Sequence, residues 1–349
     1  MNSAHDDIVI SGVAAISAAG VGTAALIEAL AAGNSKLQPV PEDVVGESGH
    51  LWGKADSFKA SDYMSPLKAR KFDRSSLMAV VAAGMALKDA AIDVAALDSS
   101  RIGIVLGCGF GGIAYAEEFL RGYFTAGTEG LVPMLFPNIV PNASASNASI
   151  EHKLKGPNVT LIQRFCSAES AFLMAMRFLE EDRADIMLTG GVDELFAGML
   201  KGFKSIGQLN SFGGCFSEGA GLLVLERGGH ARRRNARILA GVGEVRSIGR
   251  LSPGLEAEGV ERLLGNSGRP GLMALSGTAT SDGELLACLP EAPVLDTGRI
   301  LGRALAMGGL SMTALALSLK PGQSGVQIAA SPEGPYYAIE MTGGDPVSS

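Results

Sequence analysis

The chain has 349 residues, of which 47% are hydrophobic and 5% aromatic, and its formal net charge is −7. This length and apolar content are sufficient for a large buried core and for one to three domains. The negative charge argues against nucleic acid as a partner, because phosphate binding requires basic patches. No apolar run reaches the roughly 18 residues of a membrane-spanning helix, so no membrane is expected as a partner.

Cysteine and histidine are few and scattered along the chain. The four cysteines form no CxxC pair, and the four histidines show no spacing typical of a metal site. Free thiols are typical of a reducing compartment. The amino terminus, MNSAHDD, is acidic where a signal peptide would be basic. We therefore expect a cytoplasmic protein that holds no metal ion.

Short β-branched runs alternate with longer Ala-rich stretches, which is the pattern of an α/β fold. The helix predicted at 167–181 is apolar nearly all round, so it should lie buried between sheets. In chain order, the predicted elements are strand 8–13, helix 23–32 with Thr23 as N-cap, helix 75–91, strand 101–106, helix 113–123, strand 158–162, helix 167–181, strands 186–190, 221–226 and 238–245, helix 311–319, and strands 326–330 and 336–341.

Several motifs occur in a fixed order along the chain. IVISGVAAISAAG (8–20) is a strand with a Gly/Ser turn, RIGIVLGCGFGGI (101–113) is a strand with a glycine turn, and FSEGAGLLVLE (216–226) is a second glycine-containing strand. FPNIVPNASASNASIEHKLKGP (136–157) leads without a gap into a segment that ends at Gly190-Gly191. Together these motifs resemble the β-ketoacyl synthases, the condensing enzymes of fatty-acid and polyketide assembly, over nearly the whole chain.

The resemblance implies a particular architecture. It is the thiolase-like α/β fold, a duplicated five-layered αβαβα arrangement with mixed sheets that dimerises edge to edge. Strand 8–13 has an approximate counterpart at 238–245, in keeping with two related halves. We expect an N-terminal ketosynthase half over 1–235 and a shortened C-terminal half over 236–349.

The resemblance also places a phenylalanine where the family has its nucleophile. Counting without gaps from Gly156-Pro157 to Gly190-Gly191, the nucleophilic cysteine falls on Phe165, and Cys166 lies one place too late. A phenyl ring has no lone pair and no ionisable proton, so it cannot attack a thioester.

The other catalytic groups of the family are lost as well. The histidine of a His-Gly-Thr-x-Thr motif falls on Ser276 in LSGTATSDGE (275–284), and that of Gly-His-x-x-Gly falls on Arg303 in GRALAMGG (302–309). The lysine five residues earlier falls on Gly298. The gating loop near 328–336 is IAASPEGPY and lacks the family's Gly-Phe-Gly-Gly-x-Asn motif.

Each lost group would reduce the rate of condensation by orders of magnitude. We interpret the chain as a catalytically inactive homologue that resembles the chain-length factor, or KSβ subunit, of type II polyketide synthases. The short C-terminal half and the missing gating loop favour a divergent branch such as the aryl-polyene type. Aromatic chain-length factors typically carry Gln at the nucleophile position, so Phe165 argues against decarboxylative priming.

A chain-length factor implies specific partners and no cofactor of its own. The resemblance implies a heterodimer with an active ketosynthase (KSα), which uses a phosphopantetheinyl acyl carrier protein. This chain would meet the carrier protein only through the complex and would shape the acyl tunnel.

The family also indicates which residues line the tunnel and the dimer seam. Phe110 matches a position of the acyl pocket, and the segment with Phe136, Asn138 and Ile139 matches one that reaches the partner's pocket; core packing explains these residues equally well. The strand expected to pair with its counterpart across the dimer contains Asn158, Val159, Thr160, Leu161 and Ile162.

Two other functions stay open from the sequence. One is a stand-alone acyltransferase that uses Cys166, although a free cysteine usually behaves as a small apolar residue. The other is a homodimeric acyl-binding protein. Arg303 could bind a phosphate or carboxylate, or could form a structural ion pair.

Overall fold

A computed structural model describes residues 7–209, 215–252, 254–265, 269–276, 287–303, 307–331 and 334–344. The strands are β1 Ile8–Ser17, β2 Gly20–Val21, β3 Gln38–Pro39, β4 Leu51–Gly53, β5 Ile102–Gly107, β6 Asn158–Leu161, β7 Ile186–Asp193, β8 Cys215–Ser217, β9 Gly219–Arg227, β10 Ala240–Ile248, β11 Leu272–Ser276, β12 Val294–Asp296, β13 Ser324–Ala330 and β14 Tyr336–Gly343. The helices are α1 Thr23–Ala32, α2 Glu42–Val45, α3 Pro66–Ala69, α4 Arg74–Asp89, α5 Ile113–Ala126, α6 Ala143–His152, α7 Ser167–Glu180, α8 Ala197–Ser205, α9 Gly228–Arg233, α10 Glu256–Leu264, α11 Thr297–Leu301 and α12 Gly308–Ser318.

Every predicted strand and helix has a counterpart with ends shifted by a few residues. The N-cap prediction is wrong: α1 begins at Thr23, but its N-cap is Gly22 and no side chain caps it. Helix α6 was not predicted, because its sequence, ASASNASIEH, is rich in Ser and Asn and lacks an apolar period. None of the described helices is long and apolar enough to span a bilayer.

The main sheet contains the same five-strand arrangement twice. One half has the order β6-β5-β7-β9-β1, and the other has β12-β11-β13-β14-β10. In each half the first three strands are parallel and the last two pairings are antiparallel. The halves meet where β1 pairs with β10, with Val9 opposite Gly241. This repeat confirms the duplicated α/β fold, whereas the exact division at 235/236 remains a prediction.

Helices cover the two halves in five layers. Helices α4 and α6 pack on the outer face of the first half through residues such as Met78 and Ala145. The central core joins α7 and α12 to strands of both halves, and Phe172 and Met312 lie in it. Leu263 of α10 packs on the outer face of the second half. Helix α7 is therefore buried between the two half-sheets, as its apolar sequence predicts.

Two elements, β6 and α5, are only partly packed against the rest of the described chain. Strand β6 lies at the end of the sheet path and pairs only with β5 among the described strands. No residue of α5 is buried. Both elements lie next to the turns that hold the family's site residues.

Candidate functional site

Phe165 lies in a short 3-10 turn, Arg164–Cys166, that leads directly into α7. Its side chain is only 1% exposed. It belongs to an apolar cluster with Leu195, Met199, Phe203 and Phe216, in which Phe203 and Phe216 stack with ring centroids 4.8 Å apart. The position that carries a nucleophile in condensing enzymes is therefore filled by an aromatic core.

The hydroxyl of Ser167 holds this turn in place. Its Oγ accepts from the backbone N–H of Gln163 at 2.8 Å and lies within hydrogen-bond distance of the carbonyls of Cys108 (2.9 Å) and Arg164 (2.8 Å). One side chain thus joins the start of α7 to the end of β5. Arg164 itself has a φ of 53°, the left-handed conformation that non-glycine residues rarely adopt.

Ser276, at one lost histidine position, belongs to a buried polar cluster. Its Oγ donates to Glu169 Oε1 at 2.7 Å, and Gln327 Nε2 donates to Glu169 Oε1 at 2.7 Å and to Ser276 Oγ at 2.8 Å. Burial raises the pKa of Glu169, and the hydrogen bonds from Ser276 and Gln327 act in the opposite direction. A side chain at Gly308 would collide with this carboxyl group. The hydroxyl that replaces the histidine is therefore engaged within the protein core.

Sequence reasoning missed Glu169 and Gln327, although Glu169 had a recognisable signal. It is the charged residue on the buried face of α7, whereas Arg177 and Glu180 of the same helix are exposed. A carboxyl group on an apolar helix face requires partners from elsewhere in the fold. Those partners lie on β11 and β13, which no local pattern connects to α7.

Gly298 and Arg303, which match the family's lysine and second histidine, are neighbours. A Cβ atom at Gly298 would lie 3.4 Å from Arg303 Cγ, so the positions of the family's lysine and second histidine come together here. The backbone N–H of Arg303 donates to the Cys215 carbonyl at 2.7 Å. Its Nη1 is buried and has no hydrogen-bond partner within the described residues. Residues 277–286, 304–306 and 332–333, which contain the rest of the histidine motifs and part of the gating loop, lie outside the described residues.

Neither Cys166 nor Cys108 has the properties of a nucleophile. Cys166 is fully buried, its Sγ donates to the Pro335 carbonyl at 3.3 Å, and it packs with Ala329 and Tyr337. Burial raises the pKa of the Cys108 thiol, and nearby carboxylates raise it further. A nucleophilic cysteine requires an accessible thiolate. Within the described ranges, no group of three His, Cys, Asp or Glu side chains could hold a metal ion.

A pocket of about 620 Å³ opens between α5 and α8. Phe110, predicted to line the acyl pocket, is on its wall and lies 5.9 Å from Phe203 between ring centroids. The wall is mostly apolar, and three charged side chains interrupt it. The lining residues that the sequence did not indicate include Ile113, Leu120, Phe196, Met199, Phe203 and Ile206, with the charged Glu117, Arg164 and Lys201.

Phe136, Asn138 and Ile139, predicted to reach the partner's pocket, differ in how deeply they are buried. Phe136 is 59% exposed, and Ile139 is half-buried. Asn138 is buried; its Nδ2 donates to the Lys71 carbonyl at 2.8 Å, and its Oδ1 accepts from Asn147 at 2.9 Å. The side chain of Asn138 therefore supports its own chain, and a contact of this segment with a partner remains a prediction.

Comparisons with known proteins agree with this arrangement. The family model described as "Beta-ketoacyl synthase, N-terminal domain" matches residues 5–231. A 3-oxoacyl-(acyl-carrier-protein) synthase 2 of Staphylococcus aureus is 28% identical over 255 residues, which are 68% of this chain and 62% of that protein. The protein of the same name from Coxiella burnetii is 25% identical over 284 residues, or 74% of this chain and 68% of its own length.

Solved structures show the same fold. The ishigamide ketosynthase/chain length factor superposes with a TM-score of 0.85 at 21% identity and covers 97% of this chain and 100% of its own. A type II polyketide synthase acyl-carrier protein in complex with its ketosynthase bound to the hexaketide gives a TM-score of 0.82 at 20% identity, covering 97% of this chain and 99% of its own. With the thiolase-like fold and the family motifs in place, the chain belongs to the β-ketoacyl synthase family.

Proposed function

We propose that the chain is a non-catalytic subunit of the chain-length-factor (KSβ) type. It would form a heterodimer with an active β-ketoacyl synthase and shape the acyl tunnel while a polyketide or polyene chain is elongated on an acyl carrier protein. The observation that carries this proposal is Phe165, a buried ring at the family's nucleophile position. A structural neighbour that is itself a ketosynthase/chain length factor supports it at the level of fold.

The chemistry of the site supports a role without catalysis. Condensation needs a nucleophile that carries the acyl chain and polar groups that bind the thioester carbonyl. Phe165 cannot be acylated, and the Ser276 hydroxyl donates to Glu169. A heterodimer would leave these steps, together with the phosphopantetheine of the carrier protein, to the partner.

The exposed surface of β6 and α5 favours the binding of a partner protein. Strand β6 is an edge strand, and an edge with free backbone groups is a template for another strand. Helix α5 has no buried residue, and Phe124 and Met134 are 79% and 66% exposed. Exposed apolar patches of this kind are typical of protein interfaces. We propose that β6 pairs with its counterpart in the ketosynthase through residues 158–162.

The pocket between α5 and α8 supports a role in holding the chain. Its volume of about 620 Å³ lies within the range of small-molecule sites, roughly 300–1,000 Å³. Phe110 and Phe203 form aromatic walls that limit how far a chain could extend. In this proposal the heterodimer is cytoplasmic. The pocket is the end of a tunnel that starts at the nucleophilic cysteine of the ketosynthase. An aryl-polyene product belongs to the same proposal and rests on sequence alone.

The buried state of Cys166 speaks against the stand-alone acyltransferase. A thiol with no exposed surface cannot meet an acyl thioester unless the core opens. A homodimeric acyl-binding protein would use the same edge strand and pocket, so only the identity of the partner separates it from the heterodimer.

The proposal is tested by co-expressing the chain with an active ketosynthase encoded beside it. Native mass spectrometry should give a one-to-one complex, and malonyl-dependent elongation should require that complex. The matched control replaces the ketosynthase's nucleophilic cysteine by alanine, which should abolish elongation while the complex still forms. A homodimer that does not bind the ketosynthase would overturn the heterodimer and favour the acyl-binding protein.

A further inference from the structure

The first turn of α5 is attached to the rest of the molecule by polar contacts. The backbone N–H of Ala114 donates to Glu194 Oε1 at 3.2 Å, and the Tyr115 hydroxyl donates to the Phe72 carbonyl at 3.2 Å. No residue of α5 is buried, so few apolar contacts hold the helix in place. Segments with little buried apolar surface open at a low cost in free energy. The position of α5 therefore depends strongly on these contacts at its start.

Two buried carboxyl groups, those of Asp73 and Glu194, lie at this helix start. Asp73 is fully buried, and Glu194 is 6% exposed. A Cβ atom at Gly112, the N-cap residue of α5, would lie 3.7 Å from Asp73 Oδ2. The Ser75 hydroxyl donates to the same oxygen of Asp73, and the backbone N–H of Ser75 donates to Glu194. The two carboxyl groups thus meet where α4 and α5 both begin.

The neighbouring cation does not neutralise this pair. Arg74 donates through Nε and Nη2 to the two carboxylate oxygens of Glu218, at 2.9 and 2.7 Å. Asp73 Oδ1 is buried and has no hydrogen-bond partner within the described residues. Ionised carboxylates repel each other in a buried site, so one of them keeps its proton to a higher pH. Burial and the charge of Asp73 accordingly raise the pKa of Glu194 to about 8.

We infer that Asp73 and Glu194 form a proton-dependent clasp that fastens the start of α5. While Glu194 is protonated, one of its oxygens accepts from Ala114, and its hydroxyl supplies the donor that Asp73 Oδ1 lacks. When Glu194 ionises, two negative charges lie together beside the helix start and the clasp weakens. Helix α5 then opens away from the pocket that it lines together with α8. The clasp is a property of this chain alone and does not require the proposed heterodimer.

The clasp titrates in a defined window of pH. The pKa of Glu194 lies above the ordinary value of 4.5, so its hold on α5 is complete below about pH 4.5 and is lost as the pH rises to about 8. Burial raises the pKa of Cys108 and of Tyr115, which leaves both groups neutral in this window. The other charged or titratable groups around the pair are Arg74, Glu118, Asp193 and Glu218.

Amide hydrogen exchange of the full chain, followed by mass spectrometry at pH 5.5 and 7.5, tests the clasp. Each rate is divided by the intrinsic rate of an unstructured peptide at the same pH. Protection of peptides from 113–126 should fall by up to roughly a hundredfold, because each pH unit in this window changes the opened population by up to tenfold. Peptides from α1 should keep their protection, since Leu26 and Ala29 pack in a separate apolar cluster.

Three variants separate the clasp from other effects of pH. Glu194→Gln keeps an acceptor and cannot ionise, so protection of α5 should be equal at the two pH values. Asp73→Asn removes the neighbouring charge and should reduce the fall in protection; it decides the matter where Glu194→Gln does not fold. Glu118→Gln removes an exposed carboxyl group of the same helix and should retain the wild-type fall. Circular dichroism shows which variants are folded.

Each outcome bears on the inference. Equal protection of α5 at both pH values in the wild type overturns it, as does a fall that persists undiminished in Glu194→Gln or, where that variant is unfolded, in Asp73→Asn. If the ketosynthase complex forms while α5 shows no such fall, the proposed function stands and the clasp fails. If the fall depends on Glu194 but no complex forms, the clasp stands and the proposed function fails.

Discussion

Phe165 occupies a position of chemical importance in the family with a side chain that only packs. Its ring is part of the cluster with Phe203 and Phe216, and the helix that would present a nucleophile is anchored by the Ser167 hydroxyl beneath it. At the scale of single residues, the position that matches the family's nucleophile is part of the core.

This packing role predicts a large loss of stability for Phe165→Ala. Truncating a buried phenylalanine costs roughly 3–5 kcal/mol, because apolar contacts are lost and a cavity remains. Urea denaturation monitored by circular dichroism would measure it. Phe136→Ala, at a ring that is 59% exposed, is the control and should change stability by no more than about 0.5 kcal/mol. Equal effects of the two substitutions would show that Phe165 has no special packing role.

Phe165→Cys should not restore condensation. A thiol at this position would still lack the histidines, since Ser276 donates to Glu169 and Arg303 takes the other place. The assay is malonyl-dependent elongation by the complex whose ketosynthase carries a cysteine-to-alanine change. Product above the level of the unsubstituted subunit in that complex would contradict the prediction.

Glu169 should make stability depend on pH. Burial raises its folded-state pKa above the ordinary value of 4.5. Its contribution to stability is therefore complete below about 4.5 and is lost as the pH rises through the folded-state pKa. Glutamine mimics the protonated carboxyl group and does not ionise as the pH rises. Glu169→Gln should therefore be more stable than the wild type at pH 9, and the difference in stability should be smaller at pH 5.

Urea unfolding midpoints at the two pH values measure this effect. Glu194, whose pKa burial and Asp73 raise to about 8, contributes its own loss of stability between pH 4.5 and 8. The loss from Glu194 occurs in the wild type and in Glu169→Gln alike. We therefore compare the difference between their unfolding midpoints at each pH. A difference that is the same at pH 5 and pH 9 would contradict a pKa of Glu169 that burial raises in the folded state.

At the scale of elements, β6 pairs along one side only among the described strands. The N–H of Ile104 donates to the Pro157 carbonyl at 2.8 Å, and that of Cys108 donates to the Leu161 carbonyl at 3.0 Å. Backbone groups of alternate residues face opposite sides of a strand, so the N–H of Thr160 faces away from β5. The open side is where the proposed partner strand would pair.

Thr160→Pro should therefore weaken the heterodimer and leave the fold of the chain intact. Proline removes an outward N–H and is tolerated on edge strands. Thr160→Ala, which keeps the N–H, is the matched control and should assemble like the wild type. Native mass spectrometry of each co-expressed pair gives the fraction of complex. Full assembly of the proline variant would exclude backbone pairing at this strand.

At the scale of the whole molecule, the two halves share one central core. Phe172 and Val105 from the first half pack in the same cluster as Leu272, Met312 and Ile339 from the second. The halves are also joined directly by the β1–β10 pairing. Neither half has a complete core of its own, because α7 and α12 are buried between the two half-sheets and contact both.

This shared core predicts that residues 1–235 do not fold alone. Without the second half, the central face of α7 would be left exposed to water. A urea titration of this fragment should give no cooperative transition, whereas the full chain should give one. A cooperative transition in the fragment would show that the N-terminal half is an independent domain.

Much of the fold could be predicted because its signals are local. The alternation of β-branched runs with Ala-rich stretches identified the main strands, and the all-round apolar pattern of α7 correctly placed it inside the molecule. Short strands such as β12, and the Ser- and Asn-rich α6, carry no such period and were missed. Their formation depends on neighbours that are distant in sequence.

By itself, the sequence determined the α/β class and the family and predicted the loss of the nucleophile, because register and residue identity are properties of the chain. Only the tertiary structure decided which side chains surround the matched site positions. Glu169 meets Ser276 and Gln327 across separations of 107 and 158 residues. Arg164 and Lys201 likewise share a pocket that neither local segment indicates. Such contacts are set by how the layers pack, and short-range periodicity contains no information about them.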